Sequence, residues 1–375
     1  MKTAFIYSDD FAKYDYGPGH PLKPFRLKLT HELIKAYGLL SLPDARLVEA
    51  KPAEEEDLLL YHTRDYLDML KAANSGLDIP GEEHYGLGPG DNPVFEGVYE
   101  WSRLVTGASL QAAELVDSGE VRIAFNISGG LHHALASRAS GFCYINDPVV
   151  VISSLLKKGR RVAYIDIDAH HGDGVQAAFY GTDKVLTISL HESGQYLFPG
   201  TGFESETGKG QGKGCSVNIP LPPFCDDELF VYAFMEVVPP LIERFSPDMV
   251  VSQLGVDSFR MDPLAHLNYT TNGFCEVVGK RQELSPRWIA LGGGGYEITN
   301  VAKAWTLAWA VMNNLASPDN PADELPAGFL EHYPLEGFRS HKLRDETYSA
   351  EGPEKEMMRE QVRRTVARVR DQVCQ

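Results

Sequence analysis

The chain has 375 residues, 43% apolar and 23% charged, which is ordinary globular composition and excludes a disordered, collagen-like or coiled-coil protein. Its 35 basic and 52 acidic residues give a formal net charge of −17, which repels a phosphate backbone and attracts cationic groups. No stretch approaches the ~20 apolar residues of a membrane-spanning helix, and the N-terminus has only a short apolar run, behind the single Lys2, that meets acid at Asp9, so a cytoplasmic protein without a membrane or nucleic-acid partner is expected.

In chain order, apolar runs rich in Val and Ile predict strands over residues 2–7, 121–126, 161–167, 185–190, 249–254 and 287–291. Helical spacing predicts helices over 95–116, 148–158, 226–245, 273–283 and 300–313. Most of the runs are apolar throughout, as in parallel strands covered on both faces. The alternation therefore predicts an α/β fold with a central, mainly parallel β-sheet flanked by helices. Residues 76–92 and the Gly-rich 199–214 are expected loops. The latter is no phosphate loop, because Gly208-Lys209 and Gly212-Lys213 are each followed by Gly. Over 354–373, Val362, Val366, Val369 and Val373 share one helical face among scattered arginines, which predicts a helix docked on the body. One domain over 1–375 is expected, with a core over about 1–315 and a helical segment over about 316–375 packed on it. Cys143, Cys215, Cys225, Cys275 and Cys374 are odd in number, widely spaced and without a C-x-x-C. Neither a disulfide framework nor a thiolate metal site is expected.

In an open parallel sheet, ligands bind beyond the carboxyl ends of the strands. After 161–167 the sequence presents Asp166, Asp168, His170, His171 and Asp173. Asp166, Asp168 and His170 fall on one side of an extended chain. After 249–254 comes Asp257. Asp168, His170 and Asp257 would give three protein ligands and an open position, the layout of a catalytic metal site for Zn²⁺ or Fe²⁺. A solvated acidic turn is the plain alternative for any one of them. After 121–126 come Gly129, Gly130, His132 and His133, whose imidazoles suit a general base near neutral pH. After 287–291 comes the run Gly292 to Gly295 and then Tyr296. It lacks the spacing and the acid of a dinucleotide site, and it can place the Tyr296 hydroxyl to donate to an oxyanion. Together these groups suggest metal-assisted hydrolysis of a carbonyl compound.

The same residues carry a resemblance. His20, Pro21, Leu22 and Lys23 with Arg26, Tyr85 to Gly88, Ser128 to His133, Gly141 to Asp147, Asp166 to Gly174, Ser189 to His191, Phe198 to Gly202 and Leu291 to Tyr296 resemble the zinc-dependent histone deacetylases of the class I type, within the arginase–deacetylase superfamily. The pattern is similar to prokaryotic acetoin-utilisation deacetylases and spans residues from about 20 to about 310. The resemblance implies hydrolysis of the acetyl or other acyl amide of N6-acetyl-lysine in proteins or peptides. By the same resemblance, Asp168, His170 and Asp257 are metal ligands. His132 and His133 are the tandem histidines, paired with Asp166 and Asp173, and Tyr296 polarises the acetyl carbonyl. Gly141, Phe142, Phe198, Leu264 and Gly294 contact substrate, and Asp91 is the rim aspartate, although one more residue separates it from Gly88 than in the family pattern. K⁺ or Na⁺ sites are implied at Asp166, Asp168, His170, Ser189 and Leu190, and at Phe179, Thr182 and Val185, with Cys215 where an aromatic residue is common.

Three other functions compete. A deacetylase of small acetylated amines usually carries an entrance-narrowing insertion that has no obvious counterpart here. A non-catalytic acyl-lysine reader would have lost part of the machinery. A binuclear manganese ureohydrolase of the arginase type would need further carboxylates in place of His132, His133 and Tyr296. Neither the acyl chain nor the oligomeric state follows from the sequence.

Overall fold

The computed structural model describes residues 2–77, 79–285, 287–315, 323–339 and 341–373. The expected junction at 315/316, the side chain of Val373 and Cys374 lie outside the described residues.

The sheet is built from β1 (Thr3–Tyr7), β2 (Ala45–Glu49), β3 (Ile123–Asn126), β4 (Val162–Asp166), β5 (Val185–Glu192), β6 (Ser216–Leu221), β7 (Met249–Gln253) and β8 (Trp288–Leu291). Their spatial order is β2-β1-β3-β8-β7-β4-β5-β6, and every pairing is parallel. All six expected runs are strands. The two strands not foreseen, β2 and β6, are the two edges.

The helices are α1 (Phe25–Ala36), α2 (Glu55–Leu58), α3 (Arg64–Ala72), α4 (Val98–Asp117), α5 (Asp147–Lys157), α6 (Asp173–Phe179), α7 (Asp227–Phe245), α8 (Thr271–Leu284), α9 (Ile298–Met312), α10 (Ala327–His332) and α11 (Gly352–Val373). The five helices expected from spacing are α4, α5, α7, α8 and α9. Side-chain caps start several of them: Asn146 accepts from the Val149 N–H at α5, Asp226 from Leu229 at α7 and Thr270 from Asn272 at α8. Because helices cover both faces, β1, β3, β4, β5, β7 and β8 are buried along their whole length. Phe5 of β1 meets Phe125 of β3 and Trp309 of α9 edge-on, at 5.9 and 5.3 Å between ring centres. On α11, Val362, Val366 and Val369 are buried, and the helix lies against β6 and α7. Its Arg359 and Arg370 bind Glu228 and Glu236 of α7 at 2.8 and 2.6 Å.

Candidate active site

The four adjacent central strands β3, β8, β7 and β4 deliver the groups that the sequence places after them. One ligand atom each from Asp168, His170 and Asp257, all buried, lies within 4.8 Å of the others. His170 Nδ1 is 2.9 Å from Asp257 Oδ2 and 3.2 Å from Asp168 Oδ1. The remaining carboxylate oxygens take protein donors: Asp168 Oδ2 accepts from Gln253 Nε2 at 2.6 Å and the Gly294 N–H at 2.8 Å, and Asp257 Oδ1 accepts the Ala169 N–H at 2.8 Å. Such outer bonds orient carboxylates for a metal.

The electrostatics fit a divalent cation. Burial, and then the charge of Asp168, pushes Asp257 up to about 6. Burial opposes the charge on Asp168 too, but His132 and His170 hold it well below the usual carboxylate range. Burial also opposes a charge on His170, yet the Asp257 carboxylate and Asp168 raise its imidazole well above the ordinary value. A proton on His170 thus neutralises a crowded pair of carboxylates, the place a metal ion would take.

The tandem histidines sit on a turn that the start of α5 holds in place. Asp147 accepts the Leu131 N–H at 2.8 Å and the Ser109 hydroxyl at 2.5 Å. Asn146 Nδ2 donates to the carbonyls of His132 and Ala134 at 3.0 and 2.9 Å. Beyond this turn, His132 Nδ1 lies 2.7 Å from Asp166 Oδ2 and His133 Nδ1 lies 2.7 Å from Asp173 Oδ1. Burial lowers both imidazoles, but for His132 the carboxylates of Asp166 and Asp168 win and raise it to about 9. For His133, burial and the neighbouring His132 charge prevail over Asp173, and its value falls to about 4. At neutral pH the pair therefore holds one charged and one neutral ring.

Gly141 and Gly294 have to be glycine. Gly141 has φ +52°, and an added Cβ would stand 2.5 Å from His133 Cδ2. At Gly294 it would stand 2.0 Å from Asp257 Oδ2. The rings of Phe142 and Phe198 flank the centre edge-on, 5.6 Å from Tyr296 and 5.1 Å from His133. A cavity of about 20 Å³ is lined by residues including Arg26, His132, His133, Phe142, Gly294 and Tyr296, with room for about one water. Burial, followed by Asp257 and Asp168, raises the Tyr296 phenol well above its ordinary value, so it stays a donor.

Some residues named from the sequence stand outside this cluster. Asp91 is exposed and offers its carbonyl oxygen, 3.2 Å from His20 Nε2. Leu264 is half-buried and its N–H donates to Asp262 at 3.0 Å. Of the implied monovalent-cation residues, the Ser189 hydroxyl bonds His191 Nδ1 at 2.8 Å, Leu190 and Val185 are buried, and the Thr182 N–H donates to the Phe179 carbonyl at 3.2 Å. The Cys215 carbonyl accepts the Thr187 N–H at 2.9 Å.

Three supporting residues were given no role from the sequence. Arg26 is buried in α1 and donates to the carbonyls of Gly295 and Gly293, both at 2.7 Å, clamping the glycine run. Gln253 ends β7 and holds Asp168. Asp262 accepts the Tyr296 N–H at 2.7 Å. Only Arg26 had a signal, as a cation inside a matched motif. A lone Gln and a lone Asp have none.

An eight-stranded parallel sheet with this constellation beyond its central strands defines the arginase–deacetylase fold. A family model described as "Histone deacetylase domain" matches residues 20–312. The chain is 43% identical over 337 residues to "Acetoin utilization protein AcuC" of Bacillus subtilis (strain 168), covering 88% of this chain and 85% of that protein. It is 40% identical over 343 residues to "Histone deacetylase 1" of Homo sapiens, covering 91% of this chain and 70% of that one. A solved HDAC homolog complexed with SAHA superposes with a TM-score of 0.88 at 38% identity, covering 98% of this chain and 100% of that one. An HDAC homolog from Aquifex aeolicus gives 0.86 at 37%, covering 96% and 100%. The chain belongs to the histone deacetylase family of hydrolases, and within it is class I-like and of the acetoin-utilisation type. Among the described residues, no helix is long and apolar enough to cross a membrane.

Proposed function

We propose that the protein is a metal-dependent lysine deacetylase that hydrolyses the acyl amide of N6-acetyl-lysine in polypeptides, releasing acetate and free lysine. The observation that carries this reading is the pair of histidines, each held by its own aspartate, set beside a donor triad that fits a divalent ion. Asp168, His170 and Asp257 would hold Zn²⁺, or Fe²⁺, which as a Lewis acid would polarise the acyl oxygen and acidify water. His133, neutral at physiological pH and oriented by Asp173, takes the proton of the attacking water and returns it to the leaving amine. His132, kept charged by Asp166, stabilises negative charge developing beside it. The Tyr296 hydroxyl donates to the nascent oxyanion. Phe142, Phe198, Gly141, Gly294 and Leu264 form the acyl-lysine passage, with Asp91 at its rim. K⁺ or Na⁺ would sit at the two sites named from the sequence. The whole chain acts as one domain, in the cytoplasm.

The test is acetate release by the purified, metal-loaded protein from an acetyl-lysine peptide and from acetylputrescine. Faster turnover of the peptide, abolished by a chelator and restored by Zn²⁺ or Fe²⁺, is expected. Turnover of the acetylated amine alone would move the activity to small substrates, and no hydrolysis of either would reject the reading.

A further inference from the structure

A second concavity opens at the same edge of the sheet as the histidines. It has a volume of about 660 Å³ and is lined by residues including Phe224, Tyr348, Glu351, Glu354, Met357 and Asn268. Phe224 follows the end of β6, and Glu354 and Met357 lie in the first turns of α11. The edge strand β6 is two places from β4, so the loop that bears Phe224 and the loop that bears Asp168 and His170 leave the sheet two strands apart.

The groove joins the rim of the active site through one short stretch of chain. Asp262 holds the backbone N–H groups of Tyr296 and Leu264. Two residues on, His266 is fixed by the fully buried Glu192, which accepts both its N–H and its ring, at 2.8 and 2.9 Å. The His266 carbonyl then accepts the Phe224 N–H at 2.8 Å. From Leu264 to Asn268, four residues of chain reach at most ~14 Å.

The lining is chemically one-sided. Phe224 is 57% exposed and Met357 72% exposed, and adaptable apolar surface of this kind marks interaction sites. Phe224 also keeps φ at +67°, a left-handed conformation that non-glycine residues rarely adopt, and this places its ring on the groove. The lining acids Glu351 and Glu354 form no ion pair with a described residue. Of the neighbouring cations, Lys355 binds Asp226 and Glu228 and Arg359 binds Glu228, while the Arg260 guanidinium lies 4.2 Å over the ring of the lining Tyr348.

We infer that this groove holds a flanking stretch of the acylated polypeptide, one bearing basic and apolar side chains, while its acyl-lysine occupies the active site. The inference rests on the deacetylase reading and deepens it, since it makes the substrate an extended, cationic polypeptide. An acetylated amine or a short peptide cannot span the rim and the groove together.

The experiment compares an acetyl-lysine tripeptide with two peptides of about twelve residues, extended with Lys and Leu on either side, a length that exceeds the span. One extended peptide should have a KM about tenfold lower than the tripeptide, at unchanged kcat. Phe224→Gly, which suits the left-handed backbone, and the double charge reversal Glu351→Lys with Glu354→Lys should each erase that advantage and leave tripeptide turnover unchanged. Equal KM for short and long peptides, or equal loss on both in the variants, would overturn the inference. If wild-type protein hydrolyses none of them, the deacetylase reading fails. Fluorescence anisotropy of the unacetylated long peptides on wild type and Phe224→Gly then decides the groove by itself: loss of binding in the variant supports it, and equal binding overturns it. Dissociation of a dimer by Phe224→Gly without any change toward peptides would assign the groove to a second copy of the chain and likewise overturn it.

Discussion

His132 and His133 face each other through their Nε2 atoms at 3.0 Å, yet they bind protons with opposite strength. Between about 4 and about 9 the pair holds one charged and one neutral ring. A His133 that must be neutral sets the acid limb of a pH–rate profile, and a His132 that must be charged sets the alkaline limb. The Asp166 carboxylate favours the charged form of His132, so removing it lowers the imidazole. Asp166→Asn should move the alkaline limb of kcat/KM downward by ~1–3 pH units. An unchanged limb would separate His132 from that ionisation.

Tyr296 has its ring against Phe142 and its phenol held protonated by burial and by the carboxylates of Asp257 and Asp168. An oxyanion donor is worth about 2.7–4 kcal/mol in the transition state. Tyr296→Phe should therefore lower kcat by ~100- to 1,000-fold with little change in KM. Steady-state kinetics on one acetyl-lysine peptide check this, and near-normal turnover would remove the role.

Much of this site is legible in the sequence because a parallel sheet places chemistry at strand ends and its covered strands read as unbroken apolar runs. The edges are not legible in the same way. β2, with Arg46 and Leu47 both exposed, has neither a continuous nor an alternating apolar pattern. β6 is interrupted by Asn218 and Pro220, and its proline is tolerated because an edge strand has one side without a partner. In α1 the buried face carries Arg26, Thr30 and His31 among its leucines, so polar residues mask its helical period. Arg26 is there to reach the carbonyls of Gly293 and Gly295, about 270 residues away in sequence, and no local pattern reports such a contact.

Asp262 ties Tyr296 to Leu264, because one carboxylate accepts the backbone N–H of each. It touches no reacting group and acts by positioning. Asp262→Ala should lower kcat by ~10- to 100-fold, the worth of two hydrogen bonds to a largely buried acceptor. Asp262→Asn, which keeps one of the two acceptor oxygens, should recover part of that loss. Metal affinity should stay the same in both. Parallel loss in the two variants, or loss of metal, would show that the residue acts through Asp257 instead.

Metal binding should displace the proton that Asp257 and Asp168 hold on His170. Calorimetric titration of metal-free protein with Zn²⁺ near pH 7, in buffers of different ionisation enthalpy, should therefore show release of about one proton. Affinity should weaken as pH falls, because the proton competes with the ion. At 100 times its Kd the ion should add about 2.7 kcal/mol to stability, seen as a higher Tm. Binding without proton release would mean that His170 is already neutral in the metal-free protein.

Arg281 is buried between α8 and the sheet, with its Nε donating to the Ser252 hydroxyl at 2.9 Å and its guanidinium 4.7 Å from the Trp288 ring centre. Among the described residues, its Nη1 and Nη2 have no hydrogen-bond partner. Burial pushes it down to about 9, so it remains charged at neutral pH. A buried charge without a counter-ion costs several kcal/mol, and the ring and one hydroxyl return only part of that. A side chain of similar length without the charge should do better, since the Ser252 oxygen keeps the Trp288 Nε1 donor at 2.9 Å. Arg281→Met should therefore raise Tm, by the equivalent of ~1–3 kcal/mol, while leaving kcat untouched. Arg281→Ala should lower it, because a cavity is added to the lost stacking. Thermal unfolding of the three proteins in one buffer decides: if methionine destabilises as much as alanine, the guanidinium has partners that stabilise it, and the unpaired Nη groups are not a net cost.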